Sequence, residues 1–387
     1  MILLNRHSSD FEKLYFDKIW DVIQSDLTRE QHNFIKMFPE SVNTSGIEKE
    51  FFKDIILLSI EDAKKKYNSV MLYYNITYIF QYDFHERLKT KFGKNINGIY
   101  RNTRSSCYDY INNIPEIKIA TTKYLAANSI KKIDICRSKI AWKKYIDSII
   151  YVYETIYGSV SKIFNYEKNI SSKMKAEIVK DLNISVCPYC NRQYINVFIE
   201  AGRNRTIADI DHFLPKEHYS LWADSLYNMI PSCKVCNMLF KGKRNIDMFN
   251  PFQRGYENEA YFTIEHENEL TLNELMGWTD RDVEISLKFD GDGSVCKKIQ
   301  SEAELFRIKE VYRIHSDYVK DLLYKQAMIE KTITEEMIEE INEKTEAGAI
   351  TIDEVKRVLY GMDLDDVDYC NIPLSKLTYD ILRRKNI

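Results

Sequence analysis

The chain has 387 residues, 44% of them hydrophobic, with a net charge of −3. That is enough apolar material to bury a core, which excludes a wholly disordered protein. The near-neutral balance hides an asymmetry: 15 Lys/Arg against 7 Asp/Glu between Arg101 and Lys180, and 4 against 12 between Lys331 and Cys370.

The apolar run that opens the N-terminal MILLNRHSSD is shorter than a signal-peptide core. No stretch approaches the roughly 18–20 apolar residues of a membrane span. The expectation is a cytoplasmic protein without a membrane partner, whose eight cysteines stay reduced. Cys107, Cys136, Cys296 and Cys370 stand alone and read as small buried hydrophobes.

Residues 1–180 read as a helical region. Trp142, Tyr145, Ile149, Tyr153, Ile156, Val160 and Ile163 recur at three- and four-residue steps, one face of a helix and a packing stripe. Lys131, Lys132, Arg137, Lys139, Lys143 and Lys144 make this region a candidate surface for nucleic acid or for a partner protein. Solvated helix faces account for the same charges. Segment 181–255 changes character. Tyr194 to Asp211 is rich in Ile, Val and Phe and is interrupted by Ala201-Gly202-Arg203-Asn204, which predicts a hairpin with its turn at Gly202. Segment 256–387 opens with a strand, Val283–Phe289, followed by a plain turn at Asp290–Gly293. It then returns to helices, with near-helical register through Phe306–Ile341. Thr351 and Glu354 form a capping box for a helix ending near Tyr360. The fold class expected is mostly α with a small α+β core. No GxxxxGK[ST] loop is present, so the chain is not expected to be an ATPase itself.

The chemistry-bearing residues lie between Cys187 and Arg244. Cys187-x-x-Cys190 and Cys233-x-x-Cys236 can set four thiolates around a structural Zn²⁺. Two buried reduced pairs would be the plain alternative. Between the knuckles lies Asp209-Ile210-Asp211-His212, closed by Pro215. Asp211 is a hard oxygen ligand suited to Mg²⁺ or Mn²⁺. His212 can accept a proton near neutral pH. Asn237, directly after Cys236, falls on a predicted short helix, Lys234–Lys241, where its carbonyl could be a second metal ligand. Lys241 lies one turn on and could meet a phosphate, as could Lys243 and Arg244, although a solvated basic turn serves equally well. His218 reads as a surface histidine, and His315 has no assigned role.

The order Asp-His, Asn, Asn, framed by two CxxC pairs with the last Asn directly after Cys236, resembles the HNH, or ββα-metal, endonuclease family. The resemblance is specific over about 60 residues. It implies a ββα-metal module stapled by structural zinc and flanked by helical N- and C-terminal regions. It also implies that His212 is the general base, Asp211 and Asn237 hold a catalytic Mg²⁺ or Mn²⁺, and Asn228 steadies the loop and the His212 ring. The expected reaction is phosphodiester hydrolysis leaving 5′-phosphate and 3′-hydroxyl, on DNA, with RNA an open alternative. The phrases CPYCNR, DHFLPK and NMIPSCKVCN, with Asn250-Pro251-Phe252 and Pro373–Leu377, resemble HNH proteins of bacterial anti-phage systems of the Septu and retron-associated kind. Those systems often pair the nuclease with a separate ATPase, which the resemblance implies as a partner. The rival expectation is a zinc-dependent nucleic-acid-binding or interaction subunit without catalysis.

Overall fold

The structure, a computed structural model, describes residues 1–78, 158–244, 248–265, 283–291, 293–344 and 350–383. The basic residues between Lys131 and Lys144, together with Cys107, Cys136 and most of the Trp142–Ile163 stripe, lie outside the described residues. Of that stripe, Val160 and Ile163 are described, and both are buried.

The described residues are mostly helical, with four two-stranded sheets. They fall into two compact units that interleave along the chain. One comprises Ser8–Ser171 and His212–Ile230, the other Met1–His7, Ser172–Asp211 and Pro231–Ile387. The expected 181–255 core therefore contributes to both.

The first unit is helical. α1 spans Ser9–Met37 and starts where the Ser8 hydroxyl accepts the Phe11 N–H, with Asp10 and Glu12 placed favourably in the first turn. Tyr15, Ile19, Ile23, Leu27 and Phe34 form its buried face. A short ribbon, β1 (Val42–Asn43) with β2 (Gly46–Ile47), leads to α2 (Lys49–Leu57), α3 (Ile60–Lys66) and α4 (Asn68–Tyr78). Phe34, Phe51, Phe52 and Phe164 cluster with ring centroids 5.4–6.4 Å apart. Each fully buried ring contributes roughly 1.5–3 kcal/mol. α5, a single turn over Tyr166–Asn169, is capped by Asn165. The loop of His212–Ile230 packs in this unit through Trp222, which is fully buried and lies edge-on to Tyr74.

The second unit carries the cysteines. α6 (Ser172–Asp181) packs on the hairpin of β3 (Val197–Glu200) and β4 (Arg203–Thr206). The register Glu200↔Arg203 leaves a two-residue turn in which Ala201 and Gly202 both have positive φ, +49° and +72°. Those angles match the right-handed twist of the strands. The predicted turn is thus where the sequence put it, although Ala201 accepts a conformation that glycine takes more readily. β5 (Asp209–His212) pairs with β6 (Met229–Ser232), and a seven-residue π-helix follows over Val235–Lys241. β7 (Ala260–Glu265) pairs antiparallel with β8 (Glu284–Phe289), the predicted strand.

The remaining elements are α7 (Gly293–Leu305), α8 (Ile308–Tyr312), α9 (Ser316–Thr332), α10 (Glu335–Lys344), α11 (Ile352–Tyr360) and α12 (Ser375–Arg383). The Phe306–Ile341 register is broken rather than continuous. Arg307 sits at φ +51°, and the β-branched pair Ile333-Thr334 separates α9 from α10. The capping box forms as expected: Thr351 Oγ1 accepts the Glu354 N–H at 3.2 Å and Glu354 Oε2 accepts the Thr351 N–H at 2.8 Å. No helix among the described residues is long and apolar enough to cross a membrane.

Candidate functional site

The four knuckle cysteines converge. The sulfurs of Cys187, Cys190, Cys233 and Cys236 all lie within 4.8 Å of one another, and all four residues are buried. Four 2.3 Å bonds to one tetrahedral ion place sulfurs about 3.8 Å apart, so this cluster can hold a zinc ion. Local backbone bonds build each knuckle. Asn191 N–H donates to Cys187 O at 2.8 Å, and Asn237 N–H to Cys233 O at 3.0 Å. The amide of Cys236 points at Cys233 Sγ. Burial pushes the Cys187 thiol up, whereas hydrogen bonds from the other three sulfurs pull Cys190 well down. A divalent cation resolves that conflict by replacing the shared protons.

The first knuckle also anchors distant chain. Asn191 is buried at φ +47°. Its side chain donates to Tyr369 O and accepts the Lys376 N–H at 3.0 Å, inside the first turn of α12. Leu374 N–H returns to Asn191 O at 2.7 Å. The phrases CPYCNR and PLSKL, 185 residues apart at Asn191 and Lys376, are therefore one local structure.

In the same unit, Asp211 is buried and both its oxygens are engaged. Oδ2 accepts the hydroxyl of Tyr189, which lies between Cys187 and Cys190, at 2.6 Å. Oδ1 accepts Lys241 Nζ at 2.8 Å. Lys241 is 1% exposed. It does not face a solvent-borne phosphate, as the sequence led us to expect. The π-turn, closed by Gly242 N–H to Asn237 O at 2.7 Å, directs its side chain inward to Asp211. Lys243 and Arg244 are exposed. Asn237 reaches a different carboxylate, its Nδ2 lying 3.4 Å from Asp209 Oδ2. Asp209 carried no role in the sequence reading. Strand alternation was the available signal, because Asp209 and Asp211 share one face of β5. Asp209, Asp211 and Asn237 each carry a hard oxygen donor, the ligand type that Mg²⁺ or Mn²⁺ takes, and of the three the Asp209–Asn237 pair is in contact, through the Asn237 amide nitrogen. Each carboxylate oxygen offers a further lone pair beyond its present bond.

The helical unit holds His212 and Asn228. His212 is buried, and its Nε2 lies 2.9 Å from Ala223 O. A carbonyl only accepts, so the proton sits on Nε2 and the basic lone pair on Nδ1. Tyr166 meets the imidazole edge-on, with centroids 4.5 Å apart and planes at 85°. Asn228 is fully buried and ties its loop at both ends. Oδ1 accepts the Leu214 N–H at 2.7 Å, while Nδ2 donates to Leu214 O and Trp222 O at 3.1 and 2.9 Å. Phe213 N–H adds a bond to Asn228 O.

Asp224 also escaped the sequence reading, because nothing distinguishes an isolated Asp in SLWADSL. It is fully buried, its Oδ2 accepting Asn169 Nδ2 at 2.6 Å and its carbonyl accepting the Tyr15 hydroxyl at 2.8 Å. Burial pushes its carboxyl up to about 7, against the pull of the Asn169 bond, Lys216 and the Asn165 amide. His218 is half-buried. His315 accepts from Arg192 Nε at 3.1 Å, and burial together with the Arg192 charge lowers its pKa. Cys296 and Cys370 are half-buried.

No protein-family model matches the chain, and no solved structure matches it. A segment of 83 residues is 34% identical to Protein ea31 of Escherichia phage lambda. That match spans 20% of this chain and 24% of that protein, so the chain covers about a quarter of the relative's length.

Proposed function

We propose that the chain is a metal-dependent endonuclease of the HNH type that hydrolyses phosphodiester bonds in DNA. The observation that carries the reading is the His212–Ala223 bond, which puts the basic lone pair on Nδ1 of the histidine directly following Asp211. In this reading His212 Nδ1 takes the proton of the attacking water. Asp211 and Asn237, joined by Asp209, would hold the Mg²⁺ or Mn²⁺. Bound there, such an ion would supply charge neutralisation at the phosphate and at the leaving oxygen. Lys243 and Arg244 offer exposed charge for the phosphate backbone. Lys241 instead holds Asp211 in place. The zinc cluster fixes the start of the π-helix and so the backbone of Asn237. The resemblance to anti-phage HNH proteins supports a role in bacterial defence beside a separate ATPase.

The buried Asp211–Lys241 pair favours one rival, a zinc-dependent nucleic-acid-binding subunit, because that carboxylate already has a cation. Cleavage of supercoiled plasmid in Mg²⁺ or Mn²⁺ separates the two. The nuclease reading expects cutting by the wild type and none by His212→Ala at equal zinc content. Equal cutting by both proteins removes His212 from the mechanism. Tight DNA binding without cutting, with or without an ATPase partner, favours the binding subunit.

A further inference from the structure

We infer that the one-turn helix Tyr166–Asn169, acting through Asp224, is a positioning element that fixes which nitrogen of His212 carries the proton. The inference rests on the reading of His212 as the general base and adds residues that this reading does not require.

The argument starts from Ala223. Its carbonyl selects the His212 tautomer, so the orientation of that carbonyl decides whether Nδ1 or Nε2 is basic. Ala223 has no polar side chain to hold it, so its neighbours must. On one side, Trp222 O accepts Asn228 Nδ2 at 2.9 Å. On the other, Asp224 O accepts the Tyr15 hydroxyl at 2.8 Å, and its carboxylate accepts Asn169 Nδ2 at 2.6 Å. Ala223 N–H closes back on Ser220 O at 3.0 Å. The peptide that follows Ala223 is therefore pinned from both ends.

Tyr166 and Asn169 stand three residues apart on one turn, which places them on one face. Tyr166 sets the plane of the imidazole, with its own ring under Lys216 Nζ at 4.4 Å. Asn169 holds Asp224 and is itself fixed by a bond from its Nδ2 to Ile163 O at 3.0 Å. One short element thus controls both the ring and the carbonyl it binds. A carboxylate shut away from water is an expensive way to hold the amides of Asn169 and Asn165. Its placement next to the carbonyl that selects the tautomer gives it a use.

The test uses the full zinc-loaded chain labelled with ¹⁵N at histidine, about two pH units above the ordinary histidine pKa. Imidazole nitrogen shifts report the tautomer directly. Wild type is expected to show His212 as the Nε2–H form. Asn169→Ala should populate the Nδ1–H form and lower kcat on plasmid by on the order of tenfold to a hundredfold, with KM within about twofold. The exchanged pair Asp224→Asn with Asn169→Asp restores one amide–carboxylate bond and should recover the wild-type spectrum. If Asn169→Ala does not fold, Tyr15→Phe removes only one hydroxyl from the same network and should shift the tautomer in the same direction. An unchanged Nε2–H signal in folded, zinc-replete variants overturns the inference, whatever the activity. A shifted tautomer in a protein whose wild type cuts no substrate upholds the positioning and rejects the nuclease reading.

Discussion

Lys241 Nζ and Asp211 Oδ1 lie 2.8 Å apart, and both side chains are closed off from solvent. Such a pair loses the hydration of two ions and recovers it only through good geometry and further bonds. Here the Tyr189 hydroxyl supplies a further bond. Removing one partner leaves the other charge buried alone. Lys241→Ala should therefore destabilise the protein by about 3–5 kcal/mol. Lys243→Ala, at an exposed position, should change it by less than about 0.5 kcal/mol. Urea denaturation of the two variants checks this, and equal midpoints would refute the structural role of Lys241.

Removal of zinc should act on both knuckles at once. Four buried sulfurs within 4.8 Å of each other have no stable arrangement as free thiolates. Metal binding at such a site contributes on the order of 10 kcal/mol to folding. A high-affinity chelator, or Cys233→Ser, should abolish the cooperative thermal transition of the cysteine-bearing unit. It should also increase hydrogen exchange at Lys376, whose amide is held by Asn191 beside Cys190. Retention of that protection without metal would show the knuckle to be stable by packing alone.

How much of this was visible in the sequence depends on range. The knuckles, the turn at Gly202, the strand before Phe289 and the Thr351 capping box are local patterns, and a local pattern needs no partner to be recognised. The tie between Asn191 and Lys376 is invisible because it joins segments 185 residues apart. Lys241 was read from helical spacing as a surface cation. A π-turn advances each residue differently from an α-turn, so the side chain turned inward. Asp224 and Asn169 carry no motif, and only burial distinguishes them. Asp209 was legible in principle, since period-two alternation pairs it with Asp211.

Glu302, on α7, gives a pH prediction of definite sign. It is fully buried, and burial raises its carboxyl from 4.5 to about 8. The folded protein therefore keeps this proton when the unfolded chain has released it. Stability contributed by the protonated form is fully present below pH 4.5 and is lost as pH rises through about 8. The loss cannot exceed about 1.4 kcal/mol per pH unit. Glu302→Gln does not titrate. The stability of wild type relative to Glu302→Gln should thus fall by several kcal/mol between about pH 5 and pH 8. A difference that is flat with pH, or that rises, would place the carboxylate in a solvated or paired setting instead.

The final prediction concerns which carboxylates serve the catalytic ion, and it rests on the proposed nuclease activity. Asp211 is already bonded to Tyr189 and Lys241, whereas Asp209 is half-buried and meets the Asn237 amide at 3.4 Å. In the proposed nuclease, that distance and the shared strand face would make Asp209 a contributor to cation affinity. Asp209→Asn keeps the shape and removes one negative charge. It should raise the Mg²⁺ concentration needed for half-maximal cleavage by on the order of tenfold, while saturating Mg²⁺ restores most of the rate. Asp211→Asn should behave differently, because it also leaves Lys241 buried without its counter-charge. It should lose stability together with activity, and added Mg²⁺ should not restore it. Titrating Mg²⁺ against cleavage rate for both variants, with melting temperatures measured in parallel, separates the two carboxylates. If Asp209→Asn leaves the Mg²⁺ dependence unchanged, Asp209 lies outside the cation site and its contact with Asn237 only orients that amide.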